Sequence, residues 1–543
     1  MSDIQANVPE PSTSPSPIIA NLVPIAISER IDAMDILRGL ALVGILLMNI
    51  EWFNRAMSSL GSQDTSLTGL DHAIGWLIRC FVEGKFYKLF ALLFGMGFAV
   101  ILIRAKAADR PFGAWFSRRM LVLMVFGFLH MVFLWGGDIL HDYGFAGLLL
   151  LGWVTLLKKP QFQQYDNPKS FFKLAVVWLL VPIFISVLTG IGFGLSHDTQ
   201  ALTAQWQEQI NVTERVKAIH LAQAALDQQD SDALTATTAK KLIAVESTIP
   251  DINAVEQQRV SELTVDVNTQ QSSLPSDPTS ISRPVKPTID SADAVEEDLE
   301  FSAQASIELQ AQAIVAQQAE MQTDEAEEIT VFTEGSYWQA TEFRFDFALF
   351  MLTFTIPFAF TMLLPIFILG YWLVSSSIMK HYQEHAGAFK VMAYVGIGLG
   401  TVLEVGGLLV AQHPVAKQVM LLQVVGETLF LIGQFVMTVG YFGLIMALLT
   451  HNKWHKPLAV FIPMGRMALT NYIMHSVILS SIFYGYAGGY FGAISRAPQM
   501  LIVFAIIALQ LGFSRWWLNH YAFGPLEWLW RCLSYKKLQT MRL

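Results

Sequence analysis

Three groups of polar residues stand inside apolar stretches of this chain, and their types point to proton transfer and anion binding. The first lies within 128–144, where His130 is followed across a Gly136-Gly137 turn by Asp138, His141 and Asp142. The last three have i, i+3 and i+4 spacing and share one face of a helix. A histidine beside a carboxylate acts as a general base near neutral pH, the carboxylate fixing its tautomer. The plainer alternative is that Asp138 caps the following helix and His130 is a hydrogen-bonded packing residue. Two His and two Asp could also ligate a metal, but the spacing matches no established ligand pattern and no metal is expected.

The second group is Arg38 and Asn49, eleven positions apart in an otherwise apolar run. At about 100° per residue they return to nearly the same helix face. A cation near the middle of a membrane helix costs roughly 2.5–3.5 kcal/mol on insertion scales, which makes it a functional candidate. Arg38 could equally snorkel to the headgroups while Asn49 joins two helices. The third group is Arg466, Thr470, Asn471 and His475, with Arg466/Thr470 and Asn471/His475 as i, i+4 pairs. Glu404 and Glu427 are acids in two further apolar stretches, and each must be protonated, paired with a base or open to a water-filled cavity. Pairing is one outcome. A shared cavity lined by Asn49, His130, Asp138, Glu404, Glu427, Asn471 and His475 is the other.

Membrane helices must position these groups, because 53% hydrophobic and 15% charged residues over 543 positions, with a mean hydropathy of +0.44, exclude an ordinary soluble protein. Apolar stretches of spanning length fall at 36–53, 86–103, 120–135, 139–157, 174–195, 345–373, 391–411, 421–449, 464–483 and 500–518. The expected fold is therefore an all-α polytopic bundle of about ten transmembrane helices. Basic connections, such as Arg104 to Arg119 and Lys158 to Lys173, alternate with poorly charged ones; the positive-inside rule places both termini in the cytoplasm. Residues 1–35 read as a disordered tail with no signal-peptide pattern. Membrane domains are expected over 36–195 and 345–520, with an extracytoplasmic insert at 196–344 and an interfacial tail at 521–543, where Glu527 and Arg531 form an i, i+4 pair. Between 198 and 342 there are 26 acidic and 7 basic residues. That segment favours helix on either side of a hinge at Pro275, Pro278, Pro284 and Pro287, or partial disorder. Cys80 and Cys532 fall at opposite ends of the bundle, so no disulfide is expected.

Several of these motifs, taken in order, carry a resemblance. Asp35-Ile36-Leu37-Arg38-Gly39, Gly44 to Asn49, Lys85-Phe86 with Leu89 to Gly95, the stretch 130–144, Gly465 to Tyr472 and Gly524 to Arg531 resemble the YeiB family, bacterial inner-membrane proteins whose carboxyl-terminal half is a domain of unknown function. The resemblance spans nearly all of the chain except the tail and the insert. More distantly, the amino-terminal motif resembles the transmembrane acyltransferases, which include polysaccharide O-acetyltransferases and the lysosomal heparan glucosaminide N-acetyltransferase. That resemblance implies transfer of an acyl group from cytoplasmic acyl-CoA to a sugar on the far side. Many members carry a histidine where this chain has Asn49, so the base must come from elsewhere, and His130 is the candidate. Asn49 would orient or polarise the acyl carbonyl.

The enzyme expectation is thus that Arg38 and Arg466 meet the phosphates of an acyl-CoA, a co-substrate rather than a resident cofactor, while His130, oriented by Asp138, deprotonates the acceptor. A transporter or flippase using Glu404, Glu427 and His475 is the second expectation, and a sensor or assembly factor working through the acidic insert the third. The bilayer is the expected partner; no nucleic acid is.

Overall fold

The structure is a computed structural model that describes residues 31–57, 67–107, 109, 111–196, 199–227, 290–412 and 420–542. The amino-terminal tail, the proline hinge and part of the 412–419 connection lie outside the described residues. Among the described residues the fold is all-α; the one strand-like feature is an isolated antiparallel bridge between Tyr521 and Arg542.

Nine helices of the described residues are long and apolar enough to cross a membrane: Asp32–Phe53, Gly69–Ala107, Gly113–Phe133, Leu140–Leu157, Pro168–Ile185, Tyr337–Ser375, Tyr382–Gln412, Leu422–Leu449 and Arg496–Leu518, with Ala468–Phe483 a shorter apolar helix. These comprise α1 (Asp32–Phe53), α2 (Gly69–Phe81), α3 (Phe86–Ala107), α4 (Gly113–Phe133), α5 (Leu140–Leu157) and α6 (Pro168–Ser196). After α7 (Thr199–Asp227) and α8 (Asp290–Thr333) come α9 (Tyr337–Phe358), α10 (Leu364–Ser375), α11 (Ala386–Gln412) and α12 (Met420–Leu449). The short α13 (Asn452–Leu458) and α14 (Ile462–Arg466) lead to α15 (Ala468–Phe483), α16 (Arg496–Leu518) and α17 (Pro525–Tyr535). Leu501, Val402 and Phe504 are exposed on spans at 72%, 67% and 65%. An apolar belt of that extent suits acyl chains rather than water.

Three elements differ from the sequence expectation, two of them for local backbone reasons. The span expected at 464–483 is broken at Met467, whose ψ of 35° leaves the helical range; the Met464 carbonyl accepts from the Met467 amide at 3.2 Å and from Asn471 Nδ2 at 3.1 Å. The span around 345–373 is longer and contains a π-turn, Ala359–Leu363, just after Pro357, where the missing proline N–H interrupts the α pattern. The helix α2 precedes α3 where a loop was expected.

Association in lipid rests on close packing and polar contacts rather than on hydrophobic burial. The α11–α12 hairpin uses glycines for this, since a methyl group at Gly396 would fall on the Gly440 backbone and one at Gly407 on the Gly426 carbonyl and Phe430 amide. Similarly, Gly465 lies against the α1 backbone at Asp35, which sets Arg466 at the same end of the bundle as Arg38. Of these spans α1 is the most enclosed, whereas α6 is largely exposed over Pro168–Ile185.

The chain divides into two compact units, one of residues up to Gly194 with those from Glu325 onward, the other Leu195–Asp324. In the smaller unit, Arg215 of α7 pairs with Glu308 of α8, His220 meets Gln318 at 2.9 Å, and Val212, Ala311 and Val315 are buried.

Candidate functional site

His130 is in the last turn of α4, and the chain returns through Gly136-Gly137 so that Asp138 lies beside it. Gly127 permits this approach, because a Cβ there would strike the His141 backbone and the Asp138 carboxylate. Asp138 uses both oxygens. Oδ1 meets His130 Nδ1 at 2.8 Å, and Oδ2 accepts from the His141 backbone N–H at 2.9 Å. The capping and the histidine-orienting readings of Asp138 therefore describe one carboxylate doing both.

The other ring nitrogen, Nε2, meets Ser476 Oγ of α15 at 2.7 Å. A carboxylate at Nδ1 assigns the proton to that nitrogen and leaves Nε2 to accept from the serine hydroxyl. His130 and Ser476 are each 2% exposed, and the Asp138 side chain is fully enclosed. The result is a buried Ser476–His130–Asp138 relay with the connectivity of a hydrolase triad. Two aromatic rings flank it, Tyr472 at 5.3 Å and Trp135 at 6.4 Å from the His130 ring. Both are buried, and among the described residues neither the Trp135 indole N–H nor the Tyr472 hydroxyl, whose neighbour is the Ile139 backbone, makes a hydrogen bond of ordinary geometry.

A cavity of about 280 Å³ leads toward this relay. Its outer part carries Asp35, Arg38, Arg119, Arg466, Glu527 and Arg531, its walls are apolar, and Ile139, Leu140, Tyr143 and Tyr472 line its inner end. Arg119 and His130 are both on α4, about 16 Å apart along the axis at roughly 1.5 Å per residue. Arg38 donates to Asp35 at 2.7 Å, whereas among the described residues Arg119, Arg466 and Arg531 pair with no carboxylate. Arg119 instead covers the Trp530 ring at 3.5 Å and Arg531 the Phe523 ring at 4.4 Å, and Arg466 Nε is buried without a partner. The expected Glu527–Arg531 ion pair does not form. Glu527 accepts from the Thr470 amide at 3.0 Å and hydroxyl at 2.6 Å, which ties α17 to α15. Burial raises the Glu527 carboxyl above its usual value and lowers the Arg531 guanidinium below its own. The mouth is a cationic cluster attached to aromatic surfaces.

The remaining predicted residues do not join one cavity. Glu404 pairs with Lys85 at 2.5 Å, both fully buried, while Glu404 Oε1 has no partner; nearby, Lys88 donates to Gln434 at 2.6 Å. Glu427 is exposed and receives Gln423 at 3.1 Å. Asn471 donates to Ser514 at 2.9 Å and His475 meets Gln510 at 2.8 Å, joining α15 to α16. Asn49 is buried on α1 between Leu46 and Ile50, which pack with Trp135 and Leu479, and makes no hydrogen bond to the relay. His141 Nδ1 lies 3.9 Å from Asp142 and 3.4 Å from Thr355. Among the described residues no three His, Cys, Asp or Glu side chains converge as a metal site would require.

Sequence reasoning missed Ser476, Arg119 and Arg531 as site residues. Ser476 stands 346 positions from His130, and no periodicity signals that contact. Arg119 was visible, but as a topology signal in a basic connection.

Fold and site together define the class: a polytopic all-α membrane protein with a cationic-mouthed cavity leading to a buried serine–histidine–aspartate relay. Residues 373–537 match the family described as "Protein of unknown function (DUF418)". The uncharacterised protein YxaH of Bacillus subtilis (strain 168) is 24% identical over 530 residues, 96% of this chain and 98% of the relative. An uncharacterised 39.9 kDa protein in the amylase 3' region of Bacillus acidopullulyticus is 38% identical over 161 residues, 30% of this chain and 42% of the relative. The uncharacterised protein YeiB of Escherichia coli (strain K12) is 32% identical over 165 residues, 30% and 39% of the two chains. The YeiB-like resemblance is supported, over about a third of the chain for YeiB itself and over nearly all of it for YxaH. None of these descriptions names an activity, and no solved structure matches the chain.

Proposed function

We propose that the chain is an acyltransferase of the bacterial cytoplasmic membrane, with both termini in the cytoplasm, which takes an acyl group from acyl-CoA and delivers it to a sugar or similar acceptor outside. The observation that carries this reading is His130, fixed by Asp138 at 2.8 Å and placed beyond the inner end of a cavity whose mouth holds four arginines. Arg38, Arg119, Arg466 and Arg531 suit the phosphates of a CoA nucleotide, for which the planar guanidinium offers paired donors. Trp530 and Phe523 add flat surface at the same place, and the apolar walls suit an extended pantetheine arm. His130 supplies proton transfer where the thioester carbonyl would arrive, worth typically 10²–10⁴-fold.

Purified protein in lipid nanodiscs tests this with acetyl-CoA and longer acyl-CoAs. Saturable binding that weakens in Arg38→Ala and Arg466→Ala is expected; a well-folded wild type that binds no acyl-CoA overturns the reading. A second reading, proton-linked transport, draws on the buried Lys85–Glu404 pair beside Lys88, since intramembrane acids and bases of this kind mark proton pathways. It requires pH-dependent uptake or efflux that Glu404→Gln abolishes.

A further inference from the structure

The base that the proposed function requires is already engaged. His130 Nδ1 is held by Asp138 and Nε2 by the Ser476 hydroxyl at 2.7 Å, so the proton this imidazole is set to take is that of Ser476, and a direct attack by an outside acceptor would first have to displace the serine. We propose that Ser476 is a nucleophile that carries the acyl group as a covalent ester between donor and acceptor. The inference rests on the acyltransferase reading and specifies its chemistry as two half-reactions.

In the first, Ser476 Oγ attacks the thioester carbonyl while its proton passes to His130 Nε2. The C–S bond breaks, the CoA sulfur takes that proton and leaves as the thiol, and the acyl group remains as the Ser476 ester. In the second, an acceptor hydroxyl or amine gives its proton to His130 Nε2 and attacks the ester carbonyl. The C–O bond to Ser476 then breaks and the serine oxygen recovers the proton. No redox partner is involved, and the enzyme returns to its starting state.

Three features favour this over a packing role. Asp138, His130 and Ser476 come from a turn and two different helices and meet in sequence at hydrogen-bond distance in the bundle interior. Two donors without ordinary hydrogen bonds among the described residues, the Trp135 indole N–H and the Tyr472 hydroxyl, belong to rings beside His130, and a tetrahedral intermediate would supply an oxyanion for such donors. Tyr472 also lines the inner end of the cavity and lies one turn before Ser476 on α15, so its ring stands on the path between donor and nucleophile.

The experiment uses the full chain in nanodiscs and two probes. An alkyl fluorophosphonate, which phosphonylates activated serines, reports on Ser476 independently of any acyl-CoA. Isotopically labelled acyl-CoA, followed by acid quench and peptide mass spectrometry, reports on the ester, with free thiol measured in parallel. We expect both adducts on Ser476 in the wild type, neither adduct at that position in Ser476→Ala, and a loss of roughly 10³-fold or more in the labelling rate of His130→Ala, measured below the melting temperature of that variant, which the unpaired Asp138 carboxylate should lower. Thiol release that continues in Ser476→Ala, with no ester in the wild type, overturns the covalent step and leaves acyl transfer standing. Fluorophosphonate capture that depends on His130, without thiol release from any acyl-CoA, supports Ser476 as a nucleophile and overturns acyl-CoA as donor. Absence of both signals from a folded wild type overturns both.

Discussion

Replacing Asp138 with Asn tests the relay more sharply than removing a member of it, because volume is conserved and only the donor–acceptor pattern changes. Asp138 accepts twice, from His130 Nδ1 at 2.8 Å and from the His141 amide at 2.9 Å. Asparagine offers one acceptor. Leaving the largely buried His141 N–H unpaired costs roughly 1–3 kcal/mol, so the amide oxygen goes to it and the new NH₂ turns toward His130. Two N–H groups cannot face one another, so Nδ1 gives up its proton and Nε2 acquires one. His130 then donates to Ser476 instead of accepting from it, and the serine cannot be deprotonated. The loss should approach 10⁴-fold, the scale seen for this substitution in a serine-protease triad, or about 5.4 kcal/mol at roughly 1.36 kcal/mol per decade. Because the His141 contact survives, the melting temperature should stay close to the wild-type value. The assay is the rate of fluorophosphonate labelling, with thiol release as the second readout. Asp138→Asn within about tenfold of wild type would reduce Asp138 to a cap and refute the tautomer argument. In Asp138→Ala the backbone contact goes as well, so a further loss of about 1 kcal/mol of stability should separate the capping role from the catalytic one.

Three other outcomes follow from the same geometry. Removing Lys85 alone leaves the Glu404 carboxylate buried without its partner, so Lys85→Ala should destabilise the bundle by about 3–5 kcal/mol, while Lys85→Met with Glu404→Met should come close to neutral in thermal unfolding. Glu527 has its carboxyl raised by burial above the ordinary 4.5, so the folded state holds this proton more tightly than the unfolded chain does. Its contribution is fully present below that ordinary value and is lost as pH rises through the folded one, so the wild-type melting temperature should fall over that interval more than that of Glu527→Gln. Deleting residues 198–324 should leave acyl-CoA binding intact, whereas extending the deletion to 342 should lower stability, because Phe332 packs on Tyr484 and Phe491 at 4.7 and 5.7 Å; equal melting temperatures for the two deletions would contradict this.

What the sequence disclosed depends on how far apart the partners lie. His130 and Asp138 are eight positions apart across a glycine turn, so their meeting follows from local geometry. The spans were legible because the bilayer demands apolar length, and the exceptions occur where a single backbone feature intervenes, Met467 in one case and Pro357 in the other. The Lys85–Glu404 contact, across 319 positions, and the Ser476–His130 contact depend on the order of helices around the bundle, which hydropathy does not encode. Arginines at span ends carry a double meaning. The positive charge that fixes topology is indistinguishable in sequence from charge that binds a ligand, and only the placement of Arg119 on Trp530 and of Arg466 on the cavity wall separates the two.

The asparagine at position 49 bears on the acyl transfer proposed above. The distant acyltransferase resemblance expects a histidine there, on the first helix. In the bundle, Leu46 and Ile50 on either side of Asn49 share a cluster with Trp135 and Leu479, and Phe53, one turn further on, stacks on Trp135 at 4.5 Å. Trp135 in turn contacts the His130 ring, and Leu479 follows Ser476 by three residues on α15. Asn49 and His130 therefore have neighbours in common, and on the proposed function the base would come from α4 instead of the first helix. A base can be moved from one helix to a neighbour without moving the reaction, provided the carboxylate that orients it moves too, and here the turn after α4 brings Asp138 with it. Introducing histidine at position 49 into a His130→Ala chain should consequently restore little activity, because Asn49 has no hydrogen bond to Asp138 from which to inherit the tautomer. Recovery to within tenfold of wild type would show that depth in the membrane, rather than the Asp138 contact, decides which histidine can serve.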